Sequence, residues 1–143
     1  MTQHSDVNVD WSGQEVLSPE ECWRLLAAAP VGRVGFFDEG SPVILPVNFA
    51  VDGHSIAFRS AAGSKLDAAV MNRPVCFEID QWDAMAHTGW SVLAKGTADH
   101  VLDEEGLASM ERLPVVPWSR PDLRIEWIRM TVQELSGRRI API

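Results

Sequence analysis

A chain of 143 residues is one domain's worth of polypeptide, and a second domain would have almost nothing to fold with. Its 46% hydrophobic and 22% charged residues are enough to bury a core, which excludes wholesale disorder. A net charge of -8 disfavours a general binder of nucleic acid or of anionic membranes, because both surfaces would repel it.

The N-terminal stretch, Met1 to Gly13, is polar and lacks the basic start and apolar centre of a secretory signal. No apolar run approaches the roughly 20 residues that span a bilayer. A cytoplasmic chain with no membrane partner is the expectation. Residues 1–16 read as a flexible leader and residues 17–143 as a single domain. Ser18 then caps a helix, Pro19 suits its first position, and Glu21 completes a capping box. Cys22, Leu25, Leu26 and Ala29 share one face of that helix, and Pro30 ends it.

Strand patterns follow. Val31 to Phe37 is the first, closed by a turn at Asp38-Glu39-Gly40. Pro42 to Val51 reads as one alternating strand, and Asp52-Gly53 is a hairpin signal leading into a partner strand through Ile56 and Phe58. Ser64 to Asn72 is a second short helix, with Ser64 and Asp67 at cap spacing and Arg73-Pro74 as its stop. Val75, Phe77 and Ile79 alternate in a fourth strand, residues 81–88 read as a polar loop, and Gly89 to Val101 as a long fifth strand. A third helix spans Asp103 to Leu113, a proline-containing loop runs from Pro114 to Pro121, and the last strand covers about Arg124 to Val132. Six strands with hairpin turns and three short helices predict a mainly β fold. The predicted sheet is antiparallel and Greek-key-like, closed into a barrel with helices at its ends.

Three stretches carry candidate chemistry. Phe58-Arg59-Ser60-Ala61-Ala62-Gly63-Ser64-Lys65-Leu66 runs from a strand end through a small-residue loop into a helix start. Backbone N–H groups, the Arg59 fork, the Ser60 and Ser64 hydroxyls and the Lys65 charge would together cradle a terminal phosphate. The plain alternative is a solvated Arg and Lys beside an ordinary helix cap. In Leu45-Pro46-Val47-Asn48-Phe49, Asn48 interrupts an apolar strand and Pro46 marks an edge or bulge. Such an edge would offer Pro46, Val47 and Asn48 to a flat heterocycle, or simply face solvent. Trp90 and Ser91, at the start of the fifth strand, would border a planar ligand, or Trp90 would pack in the core or at a dimer interface.

Other constellations are weak. His4, His54, His87 and His100 are widely spaced, with no H-E-x-x-H and no Cys/His cluster, so no metal is expected. Cys22 and Cys76 lie far apart and outside any C-x-x-C, and read as free thiols. Gly137-Arg138-Arg139-Ile140 is a basic run that is either a solvated tail or a contact to a ligand or partner subunit.

Taken together, certain segments resemble the pyridoxamine 5'-phosphate oxidase-like family of split β-barrel flavoproteins. They are Ala29-Pro30-Val31-Gly32-Arg33-Val34, Pro46-Val47-Asn48-Phe49, Ile56-Ala57-Phe58-Arg59-Ser60 with Gly63-Ser64-Lys65-Leu66, and Val75-Cys76-Phe77-Glu78-Ile79-Asp80, followed by Gly89-Trp90-Ser91-Val92 with Gly96 and the closing Gly137-Arg138-Arg139. The resemblance spans Leu17 to Ile140, and it rests on the order and spacing of these segments more than on any one of them.

The resemblance implies a homodimer with two flavin sites at the subunit interface. It places the FMN phosphate at Arg59, Ser60, Ser64 and Lys65, the isoalloxazine ring against Pro46, Val47 and Asn48, and Trp90 and Ser91 as closing residues, often from the other subunit. The C-terminal Trp and Arg residues that the true oxidase uses on its substrate have only loose counterparts in Trp127, Arg129, Arg138 and Arg139. The resemblance therefore implies an FMN-dependent oxidoreductase of unstated substrate, rather than pyridoxamine phosphate oxidation itself. Its rivals are an F420-dependent reductase on the same fold and a non-catalytic flavin or small-molecule binding module.

Overall fold

The computed structural model describes residues 8–140. Residues 1–7 of the expected leader, with His4, lie outside the described residues. The elements in chain order are β1 (Glu15–Val16), α1 (Pro19–Ala28), β2 (Gly32–Asp38), β3 (Ser41–Val47), β4 (Phe49–Asp52), β5 (Ser55–Ser60), α2 (Lys65–Ala69), β6 (Arg73–Asp83), β7 (Thr88–His100), α3 (Glu104–Glu111) and β8 (Glu126–Ile140).

Local signals account for the helices. Ser18 Oγ accepts the Glu21 N–H, Ser64 Oγ accepts the Asp67 N–H, and Asp103 accepts the Gly106 N–H, so each helix opens on a capped first turn. Cys22, Leu25 and Leu26 of α1 are buried as the spacing predicts. Turns are equally local. Glu39 and Gly40 both take positive φ between β2 and β3, the requirement of a tight hairpin. The next hairpin turns on Gly53-His54 rather than Asp52-Gly53, because Asp52 pairs with Ser55 and the positive φ of 60° falls on Gly53.

Every strand pairing is antiparallel, and the sheet order is β3-β2-β6-β7-β8-β5-β4, with β1 on β8. The two ends of that order, β3 and β4, are consecutive in the chain and are separated only by Asn48. A one-residue link spans at most about 7 Å between Cα atoms, so the sheet must curve until its ends meet. That is what closes the barrel. The single strand expected from Pro42 to Val51 is thus two strands with a break at Asn48. Its first half pairs with β2 and its second with β5.

Two further segments differ from the sequence reading. Part of the expected loop at 81–88 is strand, since Gln81, Trp82 and Asp83 pair with Trp90, Gly89 and Thr88. The last strand continues past Val132 to Ile140, with Gln133 as the extra residue of a bulge opposite Lys95 and Gly96. The basic run Arg138-Arg139 is therefore strand rather than tail. It pairs with Trp90 and Ser91 on one side and with Glu15 and Val16 on the other. Residues 8–16, expected in the leader, are held there by β1 and by the Arg138–Asp10 ion pair at 2.9 Å.

The main core fills the barrel with Val34, Phe49, Ile56, Phe58, Phe77, Ile79, Val92, Ile128 and Met130, closed by Leu26 of α1 and Leu66 of α2. A second cluster packs Met110 and Val115 onto Ala57 and Trp127 of the sheet. Both cysteines are free thiols. Among the described residues, no helix is long and apolar enough to cross a membrane.

Candidate functional site

The break that closes the barrel also builds a cavity. Val47 ends β3 and Asn48 links it to β4, Arg59 stands near the end of β5, and the loop before β8 folds over them. The resulting space has a volume of about 260 Å³ and is walled by Pro46, Val47, Asn48, Arg59, Trp118 and Arg124, with Val31, Pro117 and Ser119 completing it. Four of the residues singled out from sequence, Pro46, Val47, Asn48 and Arg59, therefore come together although they lie on different strands.

Two of them hold the loop. Asn48 Nδ2 donates to the Pro30 carbonyl at 3.1 Å, and its Oδ1 accepts the Trp118 N–H at 2.9 Å. The Arg59 guanidinium donates to the Arg124 carbonyl at 2.6 Å and to the Pro121 carbonyl at 2.9 Å, and lies 5.7 Å from the Trp127 ring centroid. Asn48 thus has both ends of its amide engaged within the protein, which reduces what it can offer a ligand.

The expected phosphate cradle at the start of α2 is organised differently. Asp67 Oδ2 accepts the Gly63 N–H at 2.9 Å, while Oδ1 accepts the Ser60 hydroxyl at 3.5 Å and faces His100 Nε2 at 2.6 Å. Burial pushes the Asp67 carboxyl up, but the Gly63 N–H and His100 outweigh it and hold its pKa below the ordinary 3.8. An ionised side chain of the protein itself thus takes two of the donors that the sequence reading offered to a phosphate. From the sequence Asp67 reads only as a cap partner, and nothing local points to His100, which is 33 residues away.

Lys65 does not line the cavity with Arg59. Its side chain is 77% exposed and its Nζ is 3.7 Å from Asp38. Trp90 lies on a second cavity of about 460 Å³ with Pro30, Val31, Arg33 and Asp80, so the two spaces share Val31. Ser91 pairs with Asp80 and Arg138 in the middle of the sheet. Beside this second cavity, Arg33 bridges Glu78 and Asp80, with 3.0 Å to each carboxylate. Burial and the neighbouring Asp80 raise the Glu78 carboxyl to about 7, whereas Asp80 is held down and stays ionised.

The sequence reading missed Arg124, Trp118 and Ser119, which the loop brings to the first cavity. The proline-rich run 114–121 was the available signal, but its docking partners, Asn48 and Arg59, are distant in sequence.

Comparison with known proteins places these observations in a family. An uncharacterized protein of Mycobacterium tuberculosis is 39% identical over 115 residues, covering 75% of this chain and 74% of its own. The FAD binding protein of Mycobacterium smegmatis superposes with a TM-score of 0.76 at 36% identity, over 88% of this chain and 99% of that one. A FAD-binding protein of Mesorhizobium loti shares the fold, with a TM-score of 0.71 at 22% identity over 90% and 99% of the two chains. The family model described as pyridoxamine 5'-phosphate oxidase matches residues 18–139, and with a mainly β split barrel of this topology the chain belongs to that family.

Proposed function

We propose that this protein binds a flavin nucleotide in the cavity between Asn48 and Arg59 and acts as a flavin-dependent oxidoreductase. The observation that carries this reading is the lining itself. Pro46 and Val47 offer a flat apolar wall, and Arg59 and Arg124 offer two cations with no carboxylate among the described lining residues. That donor set fits a planar ring joined to an anionic tail. Two features of the fold family support it: the FAD-binding relative at 36% identity, and the match to the oxidase family over 18–139.

A bound flavin supplies the hydride and electron transfer. The chain's own residues would do the holding. Arg59 would meet the phosphate, the Pro46-Val47 edge would orient the ring, and the loop 117–124 would keep water from one side. The cavity lining contains no carboxylate, imidazole or thiol, so no general acid or base is assigned.

The proposal includes a cytoplasmic homodimer. A single copy leaves Phe37 61% and Ile44 70% exposed on the outer face of β2 and β3, beside an apolar groove of about 430 Å³ that also includes Val43 and Cys76. Monomers rarely leave such a patch uncovered. In such a dimer Trp90 and Ser91 of one copy would close the site of the other; within one chain Trp90 lines the neighbouring cavity rather than the one at Arg59.

Mass spectrometry of the small molecule that copurifies tests the reading directly, followed by titration with FMN, FAD and F420. Binding of FMN or FAD with a perturbed flavin spectrum is expected. Exclusive binding of F420 would transfer the chain to the deazaflavin reductases, and failure of all three to bind would refute the assignment. Turnover with a reduced nicotinamide and a panel of acceptors separates an enzyme from a binding module.

A further inference from the structure

The loop 114–125 supplies Pro117, Trp118, Ser119 and Arg124 to the cavity wall, and it is tethered by the site's own residues. We propose that Arg124, carried on this loop, is a second anion-binding residue, so that a phosphate or diphosphate group is clamped between the Arg59 and Arg124 guanidiniums. The choice of flavin nucleotides as ligands rests on the function proposed above; the anion chemistry rests on the cavity alone.

Charge makes the first argument. The chain carries 12 Lys and Arg against 20 Asp and Glu, so a cavity with two arginines and no carboxylate in its lining runs against the composition. Arg24, Arg33, Arg120, Arg138 and Arg139 are each paired with a carboxylate. Among the described residues, Arg59, Arg73, Arg112, Arg124 and Arg129 have no carboxylate within ion-pair distance, and of these Arg59 and Arg124 line the one cavity together. Two guanidiniums that share a cavity without a counter-charge repel each other, and an anion between them relieves that repulsion.

Geometry makes the second. Arg59 spends Nε and one Nη2 hydrogen on the carbonyls of Arg124 and Pro121, and a guanidinium has further donors to give. The bond from Arg59 Nε to the Arg124 carbonyl fixes the backbone that carries the second arginine. The Trp118 N–H to Asn48 bond fixes the other end of the loop. Arg124 is half-buried at the cavity wall rather than waving in solvent.

The rival anion site, at the start of α2, already holds the Asp67 carboxylate on the Gly63 N–H and the Ser60 hydroxyl. Lys65 beside it is paired with Asp38. A ligand phosphate entering from the Pro46-Val47 side meets the two arginines without first displacing a carboxylate.

The test compares the full chain with Arg124→Gln and Arg124→Lys by calorimetric titration of inorganic pyrophosphate, FMN and riboflavin. Riboflavin shares the ring and lacks the phosphate. Arg124→Gln should weaken pyrophosphate and FMN at least tenfold and leave riboflavin unchanged. Arg124→Lys should fall between, because it keeps the charge and loses the fork. The Arg124 guanidinium makes no hydrogen bond or ion pair among the described residues, so both variants should melt like the parent, which a thermal scan checks. Equal FMN and pyrophosphate affinity in Arg124→Gln and the parent would overturn the subsite and leave the flavin reading standing. Pyrophosphate binding that depends on Arg124, in a chain that binds no flavin, would do the reverse. A parent chain that binds FMN no better than riboflavin, and no pyrophosphate, would also overturn the subsite.

Discussion

Asp67→Asn is the substitution whose consequences the structure defines most fully. The carboxylate gathers Gly63, Ser60 and His100 at 2.9, 3.5 and 2.6 Å, with a side chain only 19% exposed. An amide has one acceptor oxygen where the carboxylate has two. Either the Gly63 N–H or the His100–Ser60 side must then face an NH₂ group. A hydrogen bond to an ion contributes about 1.5–3 kcal/mol, and one such bond is lost, so a cost of about 2 kcal/mol at pH 7 is expected. For a chain of this size that is a drop in Tm of about 8 °C.

The pH dependence carries its own signature. The folded-state pKa of Asp67 lies below the ordinary 3.8, so its contribution is fully present above 3.8 and is lost as pH falls through the depressed folded value. The gap between parent and Asp67→Asn should hold from pH 7 down to about 4 and close below it. Urea melts at pH 7 and pH 3 measure both ends. Equal stability at pH 7, or a gap undiminished at pH 3, would refute the view that an ionised Asp67 organises the loop from Ser60 to Lys65.

Three further outcomes are expected. Arg59→Lys cannot hold the Pro121 and Arg124 carbonyls together. Loss of about 1.4 kcal/mol from that tether would raise the open population of the loop about tenfold, read as faster trypsin cleavage after Arg124, since Pro121 blocks the bond after Arg120. Gly96→Ala would put a Cβ 1.9 Å from the Thr131 carbonyl oxygen at the β7–β8 bulge, where the obstacle is backbone, and should cost about 3 kcal/mol in urea unfolding with an unchanged m-value. Glu78 has a folded pKa raised from 4.5 to about 7, so the folded state keeps a proton that the unfolded state releases, and stability from this group falls as pH rises across that interval. Glu78→Gln should remove that slope and be the more stable form at pH 8, by at most about 1 kcal/mol after solvent screening; an unchanged slope would show that the proton resides elsewhere.

The elements with local causes were legible from residue order alone. Ser18 with Glu21, Ser64 with Asp67, and Asp103 mark helix starts because a cap needs only a short side chain and an N–H three residues on. Alternation through Val75, Phe77 and Ile79 marks a half-buried strand because pleating sends successive side chains to opposite faces. Part of the candidate site was legible for the same reason: Pro46 marks an edge, Asn48 is a polar residue in an apolar run with Val47 between them, Arg59 is a charge near a strand end, and all four line one cavity.

What the tertiary structure alone decided is pairing over distance. The apolar alternation runs unbroken from Val43 to Val51, so nothing local announces that the two halves of that run pair with opposite ends of the sheet and close the barrel at Asn48. Arg138 and Arg139 look like a polar tail until β7 and β1 flank them. Arg59 is a charged strand residue until carbonyls 62 and 65 positions away arrive to receive it, and Asp67 is a helix cap until His100 does. Caps, turns and pleats are satisfied within a few residues, whereas a sheet edge or a buried charge takes whichever partner the closed barrel brings to it.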